Sequence, residues 1–272
     1  MSAPADGFVP PPTAAQPFTF GGVAAFANPR LGRLMLIELL VAVVFGTTLV
    51  WFVQRRYFPV IVQAIQRMPE TARLEQGRLE GVPQTLICES KFLAIAVTPD
   101  AALDIGQGAD LQFQLRQTDF CVNSVYRPDW GWEIEYGGGA TLNLRRSILE
   151  PWWGAWQPVI VAGVGAGVAL MLPMVWAVLA TIYVAPVKIL AWFADRSLSW
   201  TGAWRLASAA LMPGALVLAA DVALYGTQAI DLVGLSFFFI AHLVIGWVYL
   251  VGGVCATPRF HLKEANRNPF VP

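Results

Sequence analysis

Three ionisable side chains sit inside long apolar runs, and no residues of this chain are better placed to do chemistry: Glu38, Asp221 and His242. A charge at membrane depth costs on the order of 2.5–3.5 kcal/mol on insertion scales, so each needs a partner or an aqueous cavity. Glu38 stands about 6 Å from the end of its run, close enough to snorkel or to meet Arg33 or Arg205, and that role is favoured over transport. Asp221 and His242 differ by roughly 7 Å in depth on adjacent antiparallel runs, so they are expected to pair directly or through water. A structural polar clamp is favoured over a proton relay, because transporters usually show more spans, internal repeats and broken helices.

Cys88 and Cys121 share the segment between the first two apolar runs, and Cys255 lies at the end of the fourth. A disulfide closing a loop of about 30 residues would stabilise that segment by roughly 3–4 kcal/mol in an oxidising compartment. Two buried thiols are the equal alternative, since a bridge needs the α-carbons within about 7 Å. A Gly-x-Ser-x-Gly elbow, a phosphate-cradling Gly-rich Lys loop and a His-Glu-x-x-His helix are all absent. Two distant histidines, His242 and His261, with three scattered cysteines point to no metal site. Catalytic residues, cofactor and metal are therefore all expected to be none, and Gly137–Gly139 is expected to be a hairpin turn rather than a ligand cradle.

The apolar runs that must position these side chains are Leu34–Val53, Val159–Val184, Leu206–Gly226 and Leu232–Val254. Each can cross a hydrocarbon core about 30 Å thick, because a helix rises about 1.5 Å per residue. The composition, 56% hydrophobic and 13% charged, agrees, since soluble domains carry about 25% charged residues. The formal net charge of +0 and the absence of a basic patch exclude nucleic acid as a partner. Arg30 and Arg33, then Lys188, Arg196 and Arg205, then Arg259, Lys263 and Arg267 flank the runs on one side, opposed by Arg55 and Arg56. The positive-inside bias puts that side, with both termini, in the cytoplasm. The apolar stretch exceeds a signal core of 7–15 residues, and bulky Trp51 and Phe52 follow it, so the first run is expected to stay as an anchor.

The expected architecture is an α-helical membrane bundle of four transmembrane helices, with a small extracytoplasmic β-rich (α+β) domain inserted between helices 1 and 2. Residues 1–27, rich in Pro, Ala and Gly, are expected to be a disordered leader; 28–56 hold the first helix and its flanks, 57–156 the β-rich domain, 157–256 helices two to four, and 257–272 a cytoplasmic tail. Val187–Trp204 is expected to be a short helix on the membrane surface.

Within 57–156, a helical face of Phe58, Ile61, Val62, Ile65 and Met68 extends the first helix until Pro69 ends it. Leu111, Phe113 and Leu115 alternate with Gln112 and Gln114, and Trp132, Ile134 and Tyr136 with Glu133 and Glu135, predicting half-buried antiparallel strands. Phe92–Val97 reads as a central strand, Thr141–Arg145 as another, and Gly137–Gly139 as the turn joining the last two, in a sheet of about five or six strands. Small residues four apart, Gly163/Gly167 and Gly165/Ala169 in the second run and Ala210/Gly214 in the third, favour close helix packing.

Phe26-Ala27-Asn28-Pro29-Arg30, Phe58-Pro59 opening the external module, Trp204-Arg205-Leu206 and Leu211-Met212-Pro213 form a layout spanning most of the chain. It resembles a bacterial family of integral membrane proteins known as domain of unknown function eleven eighty-nine. Some members of that family carry a label linking them to maltodextrin utilisation; the resemblance implies an inner-membrane protein and carries no site residue across. The expected function is a non-enzymatic accessory protein, its external domain binding a partner protein, a second copy or an envelope ligand. The alternative is a small transporter or channel component built on Asp221 and His242, and a membrane enzyme ranks last for want of a catalytic constellation.

Overall fold

The computed structural model describes residues 15–28, 30–82, 85–98 and 108–259. Four of its helices are long and apolar enough to cross a membrane, and two small sheets complete a mixed α+β layout. The chain divides into two compact units, one of residues 1–48 with 166–272 and one of residues 49–165.

The first unit is helical. Its elements are α1 (Phe20–Ala25), most of α2 (Leu31–Phe52), the second half of α4 (Arg146–Phe193), α5 (Trp200–Gly226) and α6 (Leu232–Cys255). α5 is the most buried of the four long helices and α4 the least. The reason is composition: α5 presents Ala203, Ala207, Ala209, Ala210 and Gly214, small residues that let neighbouring backbones come close. A Cβ built on Gly214 would stand 2.6 Å from the carbonyl oxygen of His242, so α5 and α6 cross there with almost no side chain between them. In α4, Gly163 and Gly167 are not used this way, since no described atom lies within 4 Å of a Cβ on either, and Gly165 meets only the Val50 side chain at 3.4 Å.

Helix ends are satisfied by the residues the sequence offers for it. Ser199 caps α5 by accepting from the Gly202 amide at 3.0 Å, and Asp231 caps α6 by accepting from the Gly234 amide at 2.8 Å. The Lys188 ammonium donates to the Leu198 carbonyl at 2.6 Å and the Arg196 guanidinium to the Thr257 carbonyl at 2.5 Å, so basic residues at and just after the end of α4 hold the connection into α5 and the chain beyond α6.

Two expectations for this unit are corrected. The leader is ordered in part: Thr19 caps α1, and Val23 and Phe26 are fully buried in the helical core with Leu206 and Val254. The apolar Phe18 to Phe26 stretch has enough hydrophobic surface to offset its ordering, which the Pro-rich residues ahead of it conceal. Residues 1–14 of that leader and 260–272 of the tail, including His261, lie outside the described residues. Val187–Trp204 is not a separate surface helix; α4 runs unbroken to Phe193, 48 residues or about 72 Å, and α5 begins at Trp200.

The second unit starts where α2 passes through a π-helical turn, Val53–Tyr57, into α3 (Phe58–Arg67). Met68 takes an extended backbone ahead of Pro69, which ends α3 as the sequence predicts. Eight strands follow: β1 (Arg73–Glu75), β2 (Arg78–Glu80), β3 (Leu86–Glu89), β4 (Leu93–Val97), β5 (Leu111–Leu115), β6 (Asp119–Ser124), β7 (Arg127–Glu135) and β8 (Leu142–Asn143). They form a three-stranded sheet in the order β2-β1-β8 and a five-stranded sheet in the order β3-β4-β5-β6-β7. The β1–β2 hairpin turns on Gln76 and Gly77, both at positive φ, where glycine costs nothing.

The strand expectations need three corrections. β4 and β5 are parallel, in a sheet otherwise antiparallel, because the chain crosses over between them. Gly137–Gly139 does not close a hairpin; β7 pairs with β6, whereas β8 pairs with β1 in the other sheet. The alternation in β5 is inverted, with Gln112 and Gln114 buried and Leu111, Phe113 and Leu115 half-buried. Both faces of the sheet centre are covered, so polarity alternation fails as a guide to depth.

Candidate functional site

The register of the large sheet aligns two rows on one face: Cys88, Ile95, Phe113, Val122 and Trp132, then Leu86, Val97, Leu115, Phe120 and Ile134. Val60 and Ala64 of α3 pack on this face with Cys88, Leu93, Ile95 and Phe113, so the α3 amphipathic face covers β3 to β5. The cover stops there. Trp132 is 75% and Ile134 58% exposed, on a strand whose outer edge pairs with nothing among the described residues. The sequence expects this row of β7 to be buried; the structure corrects that, because the row continues beyond the helix that buries its other end.

Behind the covered part lies a tight aromatic cluster. Phe92, 1% exposed, meets Phe52 edge-on at 5.6 Å, and the Arg56 guanidinium lies 5.3 Å from its ring centroid. Phe58 and Trp153 pack edge-on at 5.0 Å.

Cys88 and Cys121 are both buried free thiols. They lie on β3 and β6 with two strands between, about 14 Å apart at the usual strand spacing, far beyond bridging reach. Of the two alternatives the geometry selects buried thiols and corrects the bridge. Burial pushes both thiols above the ordinary cysteine range, against the opposing pull of Arg67 beside Cys88 and of Arg116 beside Cys121. A raised thiol that is also buried carries little of the thiolate on which cysteine reactivity depends. Tyr136 is pushed up to about 12, first by burial and then by the carboxylate of Asp119, and its hydroxyl finds no hydrogen-bond partner among the described residues.

In the helical unit the three ionisable candidates of the apolar runs have separate fates. Glu38 is buried and accepts a 2.5 Å hydrogen bond from the Ser208 hydroxyl of α5. Ser208 is the polar partner that a search for charges missed; its signal is a lone hydroxyl in an alanine-rich stretch of α5. Asp221 is 2% exposed, and neither carboxylate oxygen has a hydrogen-bond partner among the described residues. His242 bonds through Nδ1 to the Phe239 carbonyl of its own helix. The expected Asp221–His242 pair is therefore not made. The cause is register: His242 lies level with Gly214, two turns or about 10 Å along α5 from Asp221. His242 instead lines a cavity among the four long helices.

Among the described residues, no three His, Cys, Asp or Glu side chains come together as a metal site. No family model, curated protein or solved structure matches the chain.

Proposed function

We propose that this is an integral membrane accessory protein without catalytic activity of its own, whose sheet domain docks a partner protein. Four helices span a bacterial cytoplasmic membrane, both termini lie in the cytoplasm, and the sheet domain lies outside. The observation that carries the reading is the exposed pair Trp132 and Ile134 on the free edge of β7. A Trp and an Ile left in water each forgo about 1.5–3 kcal/mol of burial, and aromatic anchors of this kind dominate protein interfaces. A free strand edge beside them supplies main-chain donors and acceptors for an added strand. The exposed charges Glu133 and Glu135 on the same strand limit indiscriminate pairing.

The test is co-purification from native membranes in mild detergent, with Trp132→Ala/Ile134→Ser beside the unchanged protein. A stoichiometric partner retained by the unchanged protein and lost by the double variant is expected. Equal retention by both, or no partner with either, overturns the reading.

A transporter is the second reading, favoured by one observation: a carboxylate, Asp221, buried with both oxygens unpartnered, which is a default candidate for ion handling. It lacks the relay partner that His242 would have supplied.

A further inference from the structure

We propose that the cavity among α2, α4, α5 and α6 binds a neutral, bilayer-soluble molecule presenting a single six-membered ring with a hydroxyl donor, a phenol or quinol head. Its volume is about 200 Å³, and its wall includes Phe45, Trp176, Tyr183, Leu211, His242 and Trp247. An apolar cavity of about 150 Å³ holds benzene, whereas drug-sized ligands need about 300 Å³ or more, so this one suits one substituted ring. Tyr183 and Trp247 stand edge to face at 5.4 Å, a geometry that continues onto a third ring.

Tyr183, Trp176 and Trp247 bring hydroxyl and indole N–H donors to the wall, and His242 brings the ring nitrogen that can accept. The His242 Nδ1 bonds to the Phe239 carbonyl, which can only accept, so Nδ1 carries the proton. In the neutral ring Nε2 is then a lone pair, on a side chain that lines the cavity. A lone pair in an apolar wall favours a ligand O–H and disfavours an ether or carbonyl oxygen, which would face it acceptor to acceptor. No Lys or Arg lines the wall to hold an anion. The near contact of Gly214 with the His242 carbonyl fixes the α5–α6 crossing, so α6 cannot lean inward to fill the space.

The site lies near the middle of α6, so access is from the bilayer, and in that respect the inference rests on the spanning reading of the helices. Recovery of the chain in the soluble fraction would sink the spanning reading; a membrane-bound chain that fails the binding test would sink only this inference.

The purified full chain in mild detergent is examined by equilibrium dialysis with 4-methylphenol, 4-methylanisole and p-xylene, three rings of similar size. The unchanged protein is expected to favour 4-methylphenol over 4-methylanisole by about tenfold, the size of one hydrogen bond. His242→Leu should reduce that preference to about one, and Ala215→Phe, which fills the cavity, should bring all three down to micelle partition. Should His242→Leu not fold, the unchanged protein still decides: 4-methylphenol should slow carbethoxylation of His242 by diethyl pyrocarbonate, read on its own peptide by mass spectrometry. Binding no better than in Ala215→Phe, a preference surviving His242→Leu, or absence of protection at His242 each overturns the proposal.

Discussion

The α5–α6 crossing of the helical unit is packed with small side chains, while Phe26, Leu34, Leu206 and Met212 fill the rest of that unit's core and the core of the sheet unit is filled by volume throughout. Around α5, buried Ala207, Ala209, Ala210 and Gly214 bring backbones together, while in the sheet unit Phe92, Leu93, Leu79 and Val97 fill the core by volume. The crossing and the sheet core therefore fail in opposite ways. Truncation should harm the sheet core most, because it leaves a cavity; enlargement should harm the α5–α6 crossing most, because at Gly214 there is no space between backbones to receive it.

The largest effect is expected at Phe92. It is 1% exposed, with Phe52 edge-on and Arg56 over its face. Phe92→Ala should cost about 3–5 kcal/mol of the stability of the sheet unit, read as earlier loss of protection in hydrogen exchange across β3 to β6. Unchanged protection there would show that this core is not held by volume.

A smaller loss, about 1–3 kcal/mol, is expected when volume is added to α5. In Gly214→Val the new Cβ would stand 2.6 Å from a backbone oxygen of α6, so a helix must move. The matched control is Gly167→Val on α4, where nothing stands within 4 Å, and detergent melting should barely change. If both substitutions cost the same, small residues on α5 are not what distinguishes it from α4.

This contrast also shows what the sequence could tell. Hydropathy and length place the four long helices, since spanning demands an apolar run whatever it packs against. The same quantities cannot rank them by burial: Gly163, Gly167 and Gly214 look equivalent as letters, and only the last meets another backbone. Strand positions at Leu111–Leu115 and Leu93–Val97 were readable from their bounds and β-prone residues, whereas which face is inside was not. Depth in the sheet depends on where α3 ends its cover and on the parallel crossover, both long-range events. Within the apolar runs, the sequence marked Glu38, Asp221 and His242 but could not set the two-turn offset between α5 and α6, which depends on the Gly214 crossing.

The smallest effect expected is a dependence on pH confined to the sheet unit, and it separates volume from polarity as the source of its stability. The Tyr136 phenol is held neutral up to about 12 by burial and by Asp119, while in the unfolded chain it ionises near its ordinary value of about 10. Below about pH 10 both states carry the proton and Tyr136 adds no pH dependence. As pH rises from about 10 to about 12 the unfolded chain releases its proton first, so stability falls across that window and levels off above it. The hydroxyl has no hydrogen-bond partner, so Tyr136→Phe keeps the ring volume and removes only a buried polar group that gives nothing back. That variant should match or exceed the unchanged protein in denaturant midpoint at pH 9. Its advantage should widen by pH 11.5, the difference between the two proteins cancelling the titration of other groups. A constant difference at both pH values would mean that Tyr136 ionises equally in both states, and that its packing alone matters.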